Sequence, residues 1–132
     1  TELTVTLAAK PRAGSLEATV VVNGISSSPA QVATALPALT TSTANLSAGG
    51  VRITVAGAGF DPVAANNSIT FDNGAVGTVV AATPTLLTVN LTSRPTAKGA
   101  LRASVTSNGI SSGPLVQIAS VTPSVTRTTT NV

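Results

Sequence analysis

Few side chains in this chain can do chemistry. Four carboxylates (Glu2, Glu17, Asp61 and Asp72) and seven lysines or arginines stand among 132 residues, with no histidine and no cysteine. Without histidine there is no Ser-His-Asp relay, and without cysteine there is no thiolate nucleophile, disulfide or sulfur ligand. No motif marks a Ser-Lys pair. Asp61 and Asp72, about ten residues apart, could join backbone carbonyls in a Ca²⁺ shell of roughly six to eight oxygens. No dense acidic loop surrounds them, so the simpler role is that of solvated acids at a loop and a strand end. Gly57-Ala58-Gly59 resembles a phosphate loop on paper. Such a loop must open a helix whose N-terminus faces the phosphate, whereas Phe60-Asp61-Pro62 and a further strand pattern follow here. A glycine turn that folds Phe60 into the core accounts for it. The expectation is a protein that is not an enzyme, with no catalytic residue, metal or cofactor.

Lys10 and Arg12 have counterparts in Arg94, Lys98 and Arg102 further along the chain. Such a basic loop can bind anionic polysaccharide or an acidic neighbour; equally, it keeps a charge-poor protein soluble. Charged residues are 8% of the chain and the net charge is +3. The pI of 10.8 therefore reflects scarce acids rather than abundant bases. Nucleic-acid binding needs a dense basic stripe or stacking aromatics. Phe60 and Phe71 are the only aromatic residues, so no nucleic-acid partner is expected. Asn45-Leu46-Ser47, Asn66-Asn67-Ser68 and Asn90-Leu91-Thr92 are N-glycosylation acceptor patterns. Asn45, Asn66 and Asn90 are candidate glycan sites, although a chain so rich in Ser, Thr and Asn also produces such triplets by chance.

The elements that hold these groups follow from periodicity. Val51, Ile53 and Val55 alternate with polar or small residues, as do Ile69 and Phe71, Leu87, Val89 and Leu91, and Leu101, Ala103 and Val105. Period two with one apolar face is a half-buried strand. Asn23-Gly24, Asn73-Gly74 and Asn108-Gly109 supply the positive φ angles of tight hairpins. No sustained helical period occurs. Strands are predicted near 36–42, 51–57, 67–72, 77–82, 86–92, 100–107 and 114–120. Their core comprises Val51, Ile53, Val55, Phe60, Ile69, Phe71, Leu87, Val89, Leu91, Leu101, Val105 and Ile118. No signal peptide is visible, and no apolar run approaches the ~20 residues of a membrane span.

The chain also repeats itself. TELTVTLAAKP from Thr1 returns as TLLTVNLTSRP from Thr85, the block around Asn23-Gly24 returns around Asn108-Gly109, and PALTTSTANL from Pro37 returns as PSVTRTTTNV from Pro123. The period is about 85 residues, the mark of an array of like units. Residues 1–34 read as the last three strands of a preceding unit, 35–120 as a complete unit and 121–132 as the start of a following one. Leu3, Val5, Leu7, Leu16, Ala18, Val20 and Val22 would then form apolar faces that need a partner sheet. Either a longer polypeptide or another chain must cover them, and the broken repeat at the C-terminus favours the longer array.

VRITVAGAGFDP (Val51–Pro62), NNSITFDNGAVGTVV (Asn66–Val80), TLLTVNLTSRP and GALRASVTSNG, in that order, resemble the IPT/TIG immunoglobulin-like domain. The resemblance implies an all-β, antiparallel immunoglobulin-like sandwich in tandem repeats, and no catalytic residues to carry over. Members stand in surface receptors, adhesins and wall proteins, in some transcription factors, and beside some polysaccharide-active enzymes. A surface built from uncharged Ser, Thr and Asn suits extracellular walls and fibres. The expected function is a structural or interaction repeat of an extracellular or cell-surface fibre, sheath or adhesin. Its partners would be neighbouring repeats or other copies. The alternative is a carbohydrate-binding module accompanying an adhesin or polysaccharide-active enzyme, although sugar-stacking aromatics are scarce.

Overall fold

Alternating apolar and polar residues become strand in this chain wherever a neighbouring strand is present to pair with them. A computed structural model describes residues 1–125, 127 and 129. The first strands form a hairpin: β1 (Gly14–Ala18) pairs antiparallel with β4 (Ala30–Ala35), and β2 (Val21–Val22) with β3 (Ile25–Ser26). The remainder builds a two-sheet sandwich. One sheet is β5 (Ala38–Leu39), β7 (Arg52–Ala58), β10 (Leu86–Ser93) and β9 (Val76–Thr83), in that spatial order. In the other, β11 (Gly99–Ser107) pairs with β8 (Asn67–Phe71), β12 (Ile110–Ser111) and β13 (Val116–Thr122). That sheet is completed by β6 (Asn45–Ser47), which runs parallel to β13.

The apolar faces meet between the sheets. Val55, Leu87 and Val89 from one side pack with Leu101, Val105 and Ile118 from the other, around a Phe60 ring that is 0% exposed. Ile53 and Leu91 extend this core as the alternation predicts. Ile69 and Phe71 are only half-buried against it, because among the described residues β8 is paired on one side alone. Val51 departs from the expectation. It precedes β7 at the end of the sheet and is 57% exposed.

Two strand predictions change. The single strand expected over 36–42 is two, because the chain switches sheets. Thr40 N–H still donates to Ala56 O, but Ser42 N–H donates to Gln117 O in the opposite sheet, and Ala44 O accepts from Ser120. The resulting β6–β13 ladder is a parallel element in an otherwise antiparallel sandwich. The other change is at Thr1–Leu7, which forms no strand although its sequence matches β10. β10 is paired by β7 on one side and β9 on the other. Thr1–Leu7 has neither, and Leu3, Val5 and Leu7 are exposed. Of the three strands expected in the first 34 residues, the two long arms of the hairpin form.

That hairpin and the β11–β13 hairpin are built alike. Bulges follow Leu16 and Leu101. Val20 N–H donates to Ser27 Oγ at 3.0 Å, and Val105 N–H to Ser112 Oγ at 3.0 Å. Gln31 reaches Ala33 O and Thr34, while Gln117 reaches Ala119 O and Ser120. Each turn is an Asn-Gly pair with positive φ on both residues, the geometry that lets two twisted strands close tightly. The predicted start of a further unit at 121–132 overlaps the end of β13. Thr126, Thr128, Thr130, Asn131 and Val132 lie outside the described residues.

Candidate interaction site

The residues that gather are at the junction between the first hairpin and the sandwich. β7 ends at Ala58, and Gly59 (φ 79°) turns the chain so that Phe60 enters the core and Asp61 points back to the junction. Gly57 has no room for a Cβ: the Ala38 carbonyl and the Phe60 ring occupy that space. A Cβ on Gly59 would lie 3.2 Å from Pro37 Cα and 3.3 Å from Leu36 O. Both glycines of the Gly-x-Gly-Phe turn are therefore required by close approach, one to the core and one to the joint.

Asp61 is 6% exposed and fully engaged. Its N–H donates to Asn67 Oδ1 and Ser107 Oγ, each at 3.1 Å. Its Oδ1 accepts Val63 N–H at 2.8 Å, and its Oδ2 accepts Asn108 Nδ2 at 3.1 Å. Asn67 Nδ2 binds Asp61 O at 2.8 Å and Val63 O at 3.0 Å. Arg12 brings a guanidinium nitrogen to 3.9 Å from Oδ2. The Val63 N–H is the chief reason that the carboxyl sits below the ordinary aspartate value of 3.8; burial opposes it, and Asn108, Asn66 and Arg12 assist. Such a carboxylate is ionised at neutral pH and serves as an acceptor that organises donors.

The hairpin is held by its backbone. Ala13 N–H donates to Gly59 O at 2.9 Å, and Ala13 O accepts Asn108 Nδ2 at 3.3 Å. Both backbone polar groups of Ala13 are thus satisfied by the sandwich, and the residue is 5% exposed. Pro37, beside Gly59, is fully buried and fixes one torsion of the connecting chain. Asn108 links Ala13 to Asp61, so one amide joins hairpin, turn and late hairpin. The arrangement positions elements against each other.

The other singled-out residues lie apart from this cluster. Asp72 accepts the Arg102 N–H at 2.7 Å and pairs with its guanidinium at 3.7 Å. Asp61 and Asp72 thus have separate partners, and Asp61 is a buried organiser where a solvated loop acid was expected. Of the basic residues, Arg12 and Arg102 are in ion pairs with these aspartates. Among the glycan candidates, Asn45 is exposed on β6 and Asn66 is exposed at the end of a 3-10 turn (Ala64–Asn66). Asn90 faces outward from β10, half-buried, and accepts Arg52 Nε at 3.0 Å. Asn67, Ser107 and Asn108 were not foreseen as site residues; the one signal available was that Asp61-Pro62 ends the glycine turn and Asn67 follows within one loop. Among the described residues, no helix is long and apolar enough to cross a membrane.

The IPT/TIG domain model matches residues 37–118, more than half of the chain and nearly all of the sandwich. No curated protein and no solved structure matched the chain. The matched span opens at the buried Pro37 and contains the Gly57–Asp61 turn, Asn67 and Asn108. The chain folds as an all-β two-sheet sandwich that the family model spans, and it belongs to the IPT/TIG domain family.

Proposed function

We propose that this chain is a structural and interaction segment of an extracellular or cell-surface fibre, sheath or adhesin, in which immunoglobulin-like units join end to end. Domains of this family are immunoglobulin-like modules often found in interaction and adhesion proteins. The observation that carries the finer reading is a hairpin clamped to the sandwich while its own core face stands open. Leu16, Val20 and Val32 occupy the hairpin positions that Leu101, Val105 and Ile118 occupy in β11 and β13. The latter three are buried, whereas Val20 is 40% and Val32 60% exposed. Such a face is stable only when another sheet covers it, because an open apolar patch with free strand edges associates. The carboxylates of Asp61 and Asp72 are occupied in holding structure, which fits a non-enzymatic role.

The test is solution mass by light scattering across concentration. The expected result is association that Val20→Ser with Val32→Ser abolishes. A strict monomer at every concentration, with β1 and β4 amides fully protected from exchange, would overturn the reading. Carbohydrate binding has one observation in its favour: a cleft beside the sheet switch lined by Thr40, Ser42, Asn45, Arg52 and Thr54. These hydroxyl, amide and guanidinium groups suit sugar hydroxyls. Retention on a glycan array that Arg52→Ala with Thr54→Ala removes would favour it.

A further inference from the structure

The sandwich has two ends, and one of them is already docked. At the docked end, Ala13 immediately precedes Gly14 (φ 140°), which pairs with Ala35, and the chain continues through Leu36 to Pro37. At the far end, Lys98 immediately precedes Gly99 (φ 116°), which pairs with Val121, and the chain continues through Thr122 to Pro123. The same two-strand edge is therefore presented twice. Its state differs. Ala13 is buried with both backbone groups bonded, and Pro37 is buried. Lys98 and Pro123 are exposed, and among the described residues neither the N–H nor the C=O of Lys98 has a partner. Between them lies a shallow cleft lined by Ala48, Pro95, Ala97, Lys98 and Pro123.

We propose that this far edge, Lys98 with Pro123, is the docking site for the Gly-x-Gly-Phe-Asp turn of a following unit of the same kind, one that opens at Pro123. The occupant is named by two features. The interface at the near end shows what such an edge binds: a Gly59 carbonyl and an Asn108 amide, beside an Asp61 carboxylate. The residues from Pro123 repeat the opening of the complete unit from Pro37, so the sequence leaving this edge is that of another unit's first strands. The pairing also has a chemical difference. Arg12 is the cation at the near end, but an extra residue precedes Gly99, and Lys98 itself stands at the clamped position. Its backbone takes the two hydrogen bonds and its ammonium, on a flexible stem, reaches the aspartate.

The inference rests on the end-to-end reading, and its test separates the two. A tandem protein is made in which Thr122 is followed by a second copy of residues 37–132. Amide exchange is then measured at Lys98, with Ala13 as the internal standard. The expected result is that Lys98 N–H exchanges at least about tenfold more slowly than in the 132-residue chain, as a locally stabilised bond should. Gly59→Ala in the added copy alone should restore fast exchange, because a Cβ there meets the docked edge. A folded added copy with Lys98 exchanging as fast as before overturns the docking and leaves the end-to-end reading standing. An added copy that does not form its own core counts against the end-to-end reading, and the docking falls with it.

Discussion

Replacing Gly59 and Gly109 separately with alanine isolates the contribution of the joint. Both glycines have φ of 79°, so an alanine meets the same backbone strain at each. A left-handed L-residue costs about 1–2 kcal/mol, and the alanine returns about 0.4–1 kcal/mol by narrowing the unfolded ensemble. Gly109→Ala should therefore cost about 1 kcal/mol, since a Cβ there has nothing within 4 Å. At Gly59 the Cβ meets Pro37 Cα at 3.2 Å, Leu36 O at 3.3 Å and Pro11 O at 3.5 Å. These are backbone atoms of a clamped segment and cannot rotate away. Overpacking of this kind adds about 1–3 kcal/mol. In a unit of this size each kcal/mol lowers Tm by about 4–8 °C. Thermal melting by circular dichroism should thus separate the two variants. If the strain is relieved by lifting the hairpin instead, the Ala13 amide of Gly59→Ala will exchange faster than that of Gly109→Ala. Equal melting together with equal Ala13 exchange would refute the claim that Gly59 is kept small by the joint.

Other perturbations follow from the same contacts. Phe60→Ala empties a fully buried site and should cost about 3–5 kcal/mol, enough to unfold the sandwich at moderate temperature; an unchanged Tm would show that Phe60 is no core anchor. Asn67→Ala removes the amide that binds Asp61 and Val63 carbonyls, and urea titration should show a loss of about 2–4 kcal/mol from buried groups left unpaired. The Asp61 carboxyl is lowered in the folded state, so its stabilisation is complete above the unfolded value and drains as pH falls through the folded one. Ala13 protection should accordingly stay constant from neutral pH to about pH 5 and weaken below about pH 4; weakening that begins near neutrality would contradict the assigned role of Asp61.

Much of the sandwich was legible because period-two alternation and Asn-Gly turns are local signals. Leu87, Val89 and Leu91 alternate in sequence and are buried in the structure, and all three Asn-Gly pairs have positive φ. What was not legible depends on neighbours distant in sequence. Thr1–Leu7 carries the pattern of β10 yet forms no strand, because alternation specifies a face and not the partner that must pair with it. β6 is three residues long, held by β13 through a parallel ladder that no local pattern announces. The site was the least visible part. Asp61 reads as one loop acid among few, and its burial is set by Asn67 six residues on, by Ser107 and Asn108 on another strand and turn, and by Arg12 across the joint. The sequence marks the glycine turn as a core device for Phe60. Its second duty, making room for Pro37, appears only once the preceding hairpin is in place.

The central claim is that this joint fixes the hairpin to the sandwich as one rigid unit. It is tested most directly by residual dipolar couplings, measured on the Val20→Ser, Val32→Ser protein to avoid association. The account predicts that amides of β1 and β4 and amides of β7 and β10 fit a single alignment tensor. Two distinct tensors, with the hairpin reorienting about Leu36 and Pro37, would contradict it.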